Sequence, residues 1–369
     1  MNIMMVILLL VILIPGFISL MFTPYCTRKT ESFGVSIPEE VFYSPELKKM
    51  RKQYVTRTGI LSIITIIAFL LFSTLISNDE NTFSILFAII IFVFMLASFF
   101  IYLKFHRNMK TLKEKHNWSK KFTQQVFINT SFRDQKLTYS NLWFVFSFII
   151  AFLTIIITFQ FYNQIPERIP MQYNFSGEVT NWADKSYSTV LIMPIMQLYL
   201  TLVFLFINAI IAKSKQQVSA ENPDKSMKQN IVFRKRWSAY IIISGTASTL
   251  MFSFIQLSFI FPINQQLLTI IPLVFSIALV IGAIVLSITT GQGGSRVRAG
   301  KSKDGNAIDR DDDRYWKLGV IYFNKNDPAL FLEKRFGVGW TANFARPLSW
   351  IILLVIILLA AGIPFLLGV

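Results

Sequence analysis

The chain has one cysteine and two histidines among 369 residues, and each scarcity excludes something. A lone Cys26 permits neither an internal disulfide framework nor a Cys-rich metal site. His106 and His116 are too few for a zinc or haem centre, so no metal or cofactor is expected. Charge is scarce too, at 15% of residues. It is missing from the interior of every long apolar run, where ion-coupled transporters keep an ionisable side chain for the coupled ion. The stretch GQGGSRVRAGKSKDGN, from Gly291, lacks the Gly-Lys-Ser/Thr ending of a phosphate-cradling loop. No nucleophile accompanies a base and no carboxylate pair stands in a convincing setting, so no enzyme activity is expected.

Apolar surface is what the chain has in abundance: 53% of residues are hydrophobic and 36 are Phe, far beyond what a soluble domain of this size needs. A helix of about 17 to 25 apolar residues crosses the roughly 30 Å hydrocarbon core. Such runs lie near 3–22, 58–77, 82–103, 142–162, 188–211, 237–261, 267–289 and 348–368. The expected fold class is therefore an all-α polytopic membrane protein with about eight transmembrane helices. The first run has no basic residue before it and no small-residue cleavage site after it, so it reads as a retained helix.

Segments 23–57, 104–141, 212–236 and 290–347 carry seven, nine, seven and eleven Lys/Arg, whereas 163–187 has only Arg168 and Lys185. The connections near 78–81 and 262–266 have none. By the positive-inside rule this 34-to-2 split places both termini outside and the four basic segments in the cytosol of a multi-pass cell-membrane protein. With 15 acidic residues inside and 5 outside, the inner face is about +19 and the outer about −3. The basic excess is thus assigned to topology and to anionic lipids of the inner leaflet, not to nucleic acid. Four stretches follow: a three-helix region at 1–141, a second membrane region at 142–289 with external loop 163–187, a cytosolic linker and aromatic module at 290–347, and a last helix at 348–369.

Ser44, Pro45 and Glu46 make a helix start, and Leu47, Met50 and Tyr54 recur opposite lysines, as in a short basic helix lying on the inner headgroup layer. Trp118 and Phe122, four apart, read as surface anchors. Gln160, Gln197, Asn208, Gln256 and SGTAST at 244–249 read as interhelical hydrogen bonding inside spans.

The glycine-rich part of 290–347 reads as flexible, and DRDDDR at 309–314 as carboxylates offset by arginines, without EF-hand spacing. From Tyr315 to Pro347 the composition predicts folded structure. Gly319 to Asn324 suits a strand, NKNDP at 324–328 a turn, and Ala329 to Phe336 a second strand or short helix. Asp327 before Pro328 reads as a turn or cap residue, and Glu333 as paired with adjacent Lys334 and Arg335. The block is too short for its own core, so Trp316, Tyr322, Phe331, Phe336 and Trp340 must bury against the membrane surface, other loops or a partner.

In the external segment, Pro166 and Pro170 favour extended backbone, Asn174 to Gly177 supplies turn chemistry, and Trp182 stands near the returning span. Two readings stay open here: an ordered cap with Trp182 packed on the Pro166/Pro170 segment or the membrane edge, and an outward recognition surface.

The pattern I-P-E-R-I-P-x-x-Y-N-x-x-G-E-x-x-x-W-x-x-K, flanked by spans, resembles the external loop of the SdpI-type bacterial membrane proteins, named for the sporulation-delay toxin immunity protein. The matching positions are Pro166, Arg168, Ile169, Pro170, Asn174, Gly177, Trp182 and Lys185, within roughly 142 to 205. The block from Tyr315 to Pro347 resembles an uncharacterised module of Gram-positive membrane proteins. It does so at Tyr315, Trp316, Lys317, Asn324, Asp327, Pro328, Glu333, Arg335, Phe336, Gly337, Gly339, Trp340, Asn343 and Pro347. The first resemblance implies protection against a secreted toxin, in some members with signalling to a cytosolic repressor; the second carries no activity. The expected function is a non-enzymatic sensor or immunity-like protein. Its loop would bind an extracellular peptide or envelope component through Pro166, Arg168, Pro170, Asn174, Gly177, Trp182 and Lys185, and its inner module would dock a cytosolic regulator through Trp316, Asn324, Asp327, Arg335, Phe336 and Trp340. The alternative is a transporter or channel lacking buried ionisable residues.

Overall fold

The computed structural model describes residues 3–75, 80–118, 135–173, 178–217, 223–297 and 312–366. Among them eight helices follow the apolar runs: α1 Ile3–Cys26, α2 Pro45–Leu75, α3 Glu80–Lys115, α4 Phe144–Gln160, α5 Tyr187–Lys213, α6 Pro223–Ser258, α7 Gln265–Thr290 and α8 Pro347–Leu366. Seven are long and apolar enough to cross a membrane, and α8 adds a shorter apolar stretch, Pro347–Ile363. Large apolar side chains such as Ile60, Ile63, Ile64 and Ile67 on α2 are more than half exposed, a surface suited to lipid. These features fit a multi-pass membrane protein.

The described connections also hold short strands, which amends the all-α expectation. Four two-stranded antiparallel sheets occur among the described residues. They are β1 Glu31–Ser32 with β2 Val35–Ser36, β3 Arg168–Tyr173 with β4 Val179–Asp184, β5 Trp316–Lys317 with β6 Ile321–Tyr322, and β7 Phe331–Glu333 with β8 Trp340–Ala342. Each buries too little on its own to be stable, so each leans on neighbouring helices.

The chain divides into two compact units. Unit 1 comprises Met1–Lys136, Ser214–Arg234 and Ala283–Arg346; unit 2 comprises Leu137–Lys213, Lys235–Gly282 and Pro347–Val369.

Unit 1 centres on an aromatic core of Phe33, Val35, Ile37, Leu47, Tyr54, Tyr102, Phe105, Met109 and Trp118, with Phe336 packed against it. The expectation of a short basic helix on the membrane surface is corrected here. Ser44 Oγ does cap the Leu47 N–H at 3.4 Å, but it opens the single long α2, and Leu47 and Tyr54 point into protein because β1–β2 and α3 supply an apolar partner. Trp118, expected as a surface anchor, is likewise buried and stacks on His116; Phe122 lies outside the described residues.

The β1–β2 turn holds Phe33 at φ +47° and Gly34 at φ +76°. A bulky side chain rarely adopts such a backbone. It persists because the Phe33 ring is fully buried, stacked on Phe105 and Phe336, while its carbonyl accepts from Tyr102 and meets His106 Nδ1 at 2.8 Å. Glycine is required beside it: a Cβ on Gly34 would stand 2.5 Å from the carbonyl oxygen of Gly319, in the β5–β6 turn.

Unit 2 is built on α4, α5 and α6. Ser147 meets Thr246 at 3.2 Å and Thr154 meets Ser253 at 2.9 Å, a constant offset that sets α4 parallel to α6. Gln256 donates to Thr158 at 3.1 Å, and Gln197 donates to the Thr249 carbonyl and to Ser253 at 2.9 and 2.7 Å. These amides and hydroxyls do the interhelical work expected of them. Gln160, at the end of α4, is exposed and takes no such part.

Candidate functional site

Two places merit a functional reading, one in each unit. In unit 2 the loop 163–187 folds as the β3–β4 hairpin. Pro170, which has no N–H to give a ladder, fits a pair whose strands are both edges. Register runs from Arg168↔Asp184 to Tyr173↔Val179, with irregularities between Pro170 and Gln172 and between Gln172 and Tyr173. Ile165 and Ile169 are buried against Val190, Phe259 and Ile260, which ties the hairpin to α5 and to the end of α6. Lys185 is a second tie: its side chain is 9% exposed, its ammonium lies 4.8 Å from the Tyr162 ring, and its N–H donates to the Glu167 carbonyl at 2.8 Å.

The other face is open. Trp182 is 49% exposed and pairs with Pro170 in register without being covered by it. Arg168 and Asp184 are almost wholly exposed, 4.0 Å apart, and Pro166 and Glu167 are exposed as well. Asn174 and Gly177 lie outside the described residues. Burial raises the Tyr173 pKa despite a hydrogen bond with Gln265.

In unit 1 the four basic segments meet around the β7 carboxylate. Glu333 is fully buried and accepts from Asn230 Nδ2 at 2.7 Å and Arg234 Nη2 at 3.0 Å through one oxygen, and from Arg28 through the other. Its partners are therefore not the adjacent Lys334 and Arg335, as expected from sequence. Lys334 follows the end of β7 and is exposed. Arg28 also meets Glu31 at 3.3 Å, and Glu31 lies 3.9 Å from the nearly buried Arg335. Arg335 pairs with Asp312 and Asp313, and Asp313 receives Lys113 at 2.7 Å. The result is an alternating chain, Arg234, Glu333, Arg28, Glu31, Arg335, Asp312/Asp313 and Lys113, with four charges of each sign.

Beside it Gln292, fully buried, donates to the carbonyls of Lys334 and Gly339 at 3.0 and 2.9 Å and accepts the Gly339 N–H at 2.7 Å. One side-chain amide thus closes the β7–β8 loop. The expectation of a flexible stretch is corrected for Gly291–Val297, which is folded; 298–311 lies outside the described residues.

The remaining expected docking residues are used internally. Trp316 is buried with Tyr322 and Leu332, Phe336 sits on the aromatic core, and Trp340 packs on Phe233 with ring centroids 5.2 Å apart. Asp327 does cap its turn, accepting the Ala329 N–H at 3.0 Å, and its other oxygen takes Lys215 at 2.5 Å and the Tyr322 hydroxyl at 2.7 Å. Burial works against that carboxylate, but the hydrogen bonds from Lys215, Tyr322 and Ala329 outweigh it and hold its pKa below the ordinary value. Asn324 is half-buried, bonded to the Tyr322 hydroxyl and to Asn343. Sequence reasoning missed Arg28, Lys113, Asn230, Arg234 and Gln292, and no local signal marks them.

Among the described residues no group of three or more His, Cys, Asp or Glu is placed to hold a metal ion. Asp312 and Asp313 are engaged by Arg335, Lys113 and the Ser36 hydroxyl.

No curated protein matches the chain, and no solved structure does. Two family models match parts of it: a domain of unknown function, DUF1648, over residues 149–198, which takes in the β3–β4 hairpin, and a family of unknown function, DUF5808, over residues 325–350, which takes in β7 and β8.

Proposed function

We propose that the chain is a non-enzymatic sensor or immunity-like protein of the cell membrane, similar in role to the SdpI-type proteins. The β3–β4 hairpin faces outward and recognises a secreted peptide or an envelope component, and the basic connections of unit 1 face the cytosol. The observation that carries this reading is the two-sidedness of the hairpin. Ile165, Ile169 and Lys185 fasten one side, and the other displays Trp182, Arg168 and Asp184 with no packing need to explain them. An anchored two-stranded pair with free edges suits β-augmentation by an extended peptide, and an exposed indole beside a guanidinium is common at binding hot spots.

On the inner side a cytosolic regulator would meet the exposed Leu318, Ile321 and Phe323 of the β5–β6 hairpin, because Trp316, Asp327 and Arg335 are spent on packing. A transporter or channel draws less from the geometry. Gln197, Thr201 and Gln256 are fully buried and bond directly across the helices instead of lining an open path.

Two measurements test the reading. An impermeant thiol reagent on intact cells should label Thr180→Cys and spare Lys317→Cys; the reverse result inverts the topology. Cells challenged with a secreted toxin to which the chain confers survival should lose that survival with Trp182→Ala or Arg168→Glu at unchanged membrane levels. Full survival with both variants would remove the hairpin from recognition.

A further inference from the structure

The first turns of α2 carry an open cleft of about 330 Å³, lined by Lys49, Lys52, Gln53, Thr56 and Arg57. These positions recur at helical spacing, so they form one face, and all five are exposed while Leu47, Tyr54 and Thr58 occupy the buried face. The stems of three basic side chains line the cleft and no acidic residue does. Among the described residues none of the three has a carboxylate within ion-pair distance, in contrast to the paired charges elsewhere in unit 1. Arg57 is oriented, its guanidinium held 5.4 Å from the Phe105 ring. Such a fixed planar fork loses little freedom when it grips an anion.

Depth supplies the second constraint. Ile60 is the first outward-facing large apolar residue of α2, followed by Ile63 and Ile64. At about 1.5 Å rise per residue, Arg57 lies roughly 4.5 Å and Lys52 roughly 12 Å along the axis from Ile60. The headgroup layer on each side of a bilayer is roughly 5–8 Å thick. Arg57 therefore stands at the level of the lipid phosphates, and Lys52 and Lys49, roughly 12 and 16 Å from Ile60, stand beyond that layer with long side chains that can reach back toward it.

We infer that this cleft binds the headgroup of an anionic, hydroxyl-bearing glycerophospholipid. The phosphate sits between Lys52 and Arg57, Lys49 adds attraction from the aqueous side, and Gln53 and Thr56 bond the headgroup hydroxyls. Thr56 Oγ1 already donates to the Lys52 carbonyl at 3.0 Å, so its lone pairs face outward as acceptors. The inference does not depend on what the β3–β4 hairpin recognises.

The test uses the purified full chain in a neutral detergent, titrated with short-chain phosphatidylglycerol or phosphatidylcholine, with bound lipid counted by native mass spectrometry. Phosphatidylglycerol should bind and phosphatidylcholine should not. A basic residue near an anionic surface is worth roughly fivefold in affinity, so K49Q/K52Q/R57Q should lose about tenfold or more. The matched control K104Q/R107Q/K110Q, on the exposed face of α3, should lose less than about twofold. Equal loss in both variants, or none in the first, overturns the site in favour of diffuse attraction. Displacement by millimolar inorganic phosphate as readily as by lipid overturns the lipid assignment. Should the triple variant fail to fold, Thr56→Trp fills the cleft from an exposed position without altering charge; undiminished phosphatidylglycerol binding by it refutes the inference.

Discussion

Unit 1 buries full charges, and unit 2 buries amides and hydroxyls. In unit 2 the serines and threonines satisfy themselves locally: Thr154, Thr158, Thr201 and Thr249 each donate to the carbonyl four residues back, at 2.7 to 3.0 Å. A group already bonded to its own helix costs little within an apolar span, and its second contact to a neighbouring helix is a modest gain. The charges of unit 1 have no such local remedy. Along the alternating chain every charge meets an opposite one, and apart from the local Arg28–Glu31 pair these partners come from separate segments; buried Arg51 is held instead by the carbonyl and ring of Phe42. A neutral polar ladder therefore aligns helices and tolerates the loss of a member, whereas an ionic chain welds connections together and fails when a link is removed.

The largest expected effect comes from breaking that weld. Glu333→Ala removes the carboxylate that Arg28 and Arg234 share, leaving Arg28 to Glu31, and should destabilise unit 1 by about 3–5 kcal/mol, read as a lowered thermal unfolding midpoint in detergent. A change below about 1 kcal/mol would show that water reaches the site and that the contrast between the units is weaker than drawn.

Next is Asp327→Asn, which removes charge-assisted bonds to Lys215 and Tyr322 and should cost about 2 kcal/mol near neutral pH. Because the folded carboxyl has a pKa below its ordinary value, its stabilisation is complete above about pH 4 and disappears as pH falls through the folded pKa. Wild type and variant should therefore converge in acid. A gap that stays constant down to about pH 2 would mean that the contribution is not ionic.

In unit 2, Gln197→Leu removes bonds to Thr249 and Ser253, and within a bundle such losses average about 0.6 kcal/mol and reach about 1.7. A cost comparable to that of Glu333→Ala would erase the distinction between ladder and weld. The smallest effect is expected at Trp182. With half the indole exposed, Trp182→Ala should change stability by less than about 0.5 kcal/mol, far from the roughly 3–5 kcal/mol of a buried tryptophan. A large loss would return it to the role of an anchor.

The spans were legible because length and hydropathy are local properties, and the Ser44 cap because it acts within one turn. The strand near Gly319 to Asn324 and the turn at 324–328 were legible from residue type. The β1–β2 hairpin was not, since ESFGVS places a phenylalanine where a positive φ is needed and only its burial sustains that conformation. Nor was the ionic chain: the partners of Glu333 lie 99, 103 and 305 residues away, and nothing near Glu333 distinguishes it from a carboxylate paired with its neighbours.

By itself the sequence determined which stretches are apolar enough to span a membrane and how the charges sort among the connections, because both follow from composition along the chain. Only the tertiary structure decided which charges neutralise one another, which aromatics become core and which face of the β3–β4 hairpin stays open. Those outcomes depend on distances between segments far apart in sequence, and burial assigns each polar group a partner only once those segments have met.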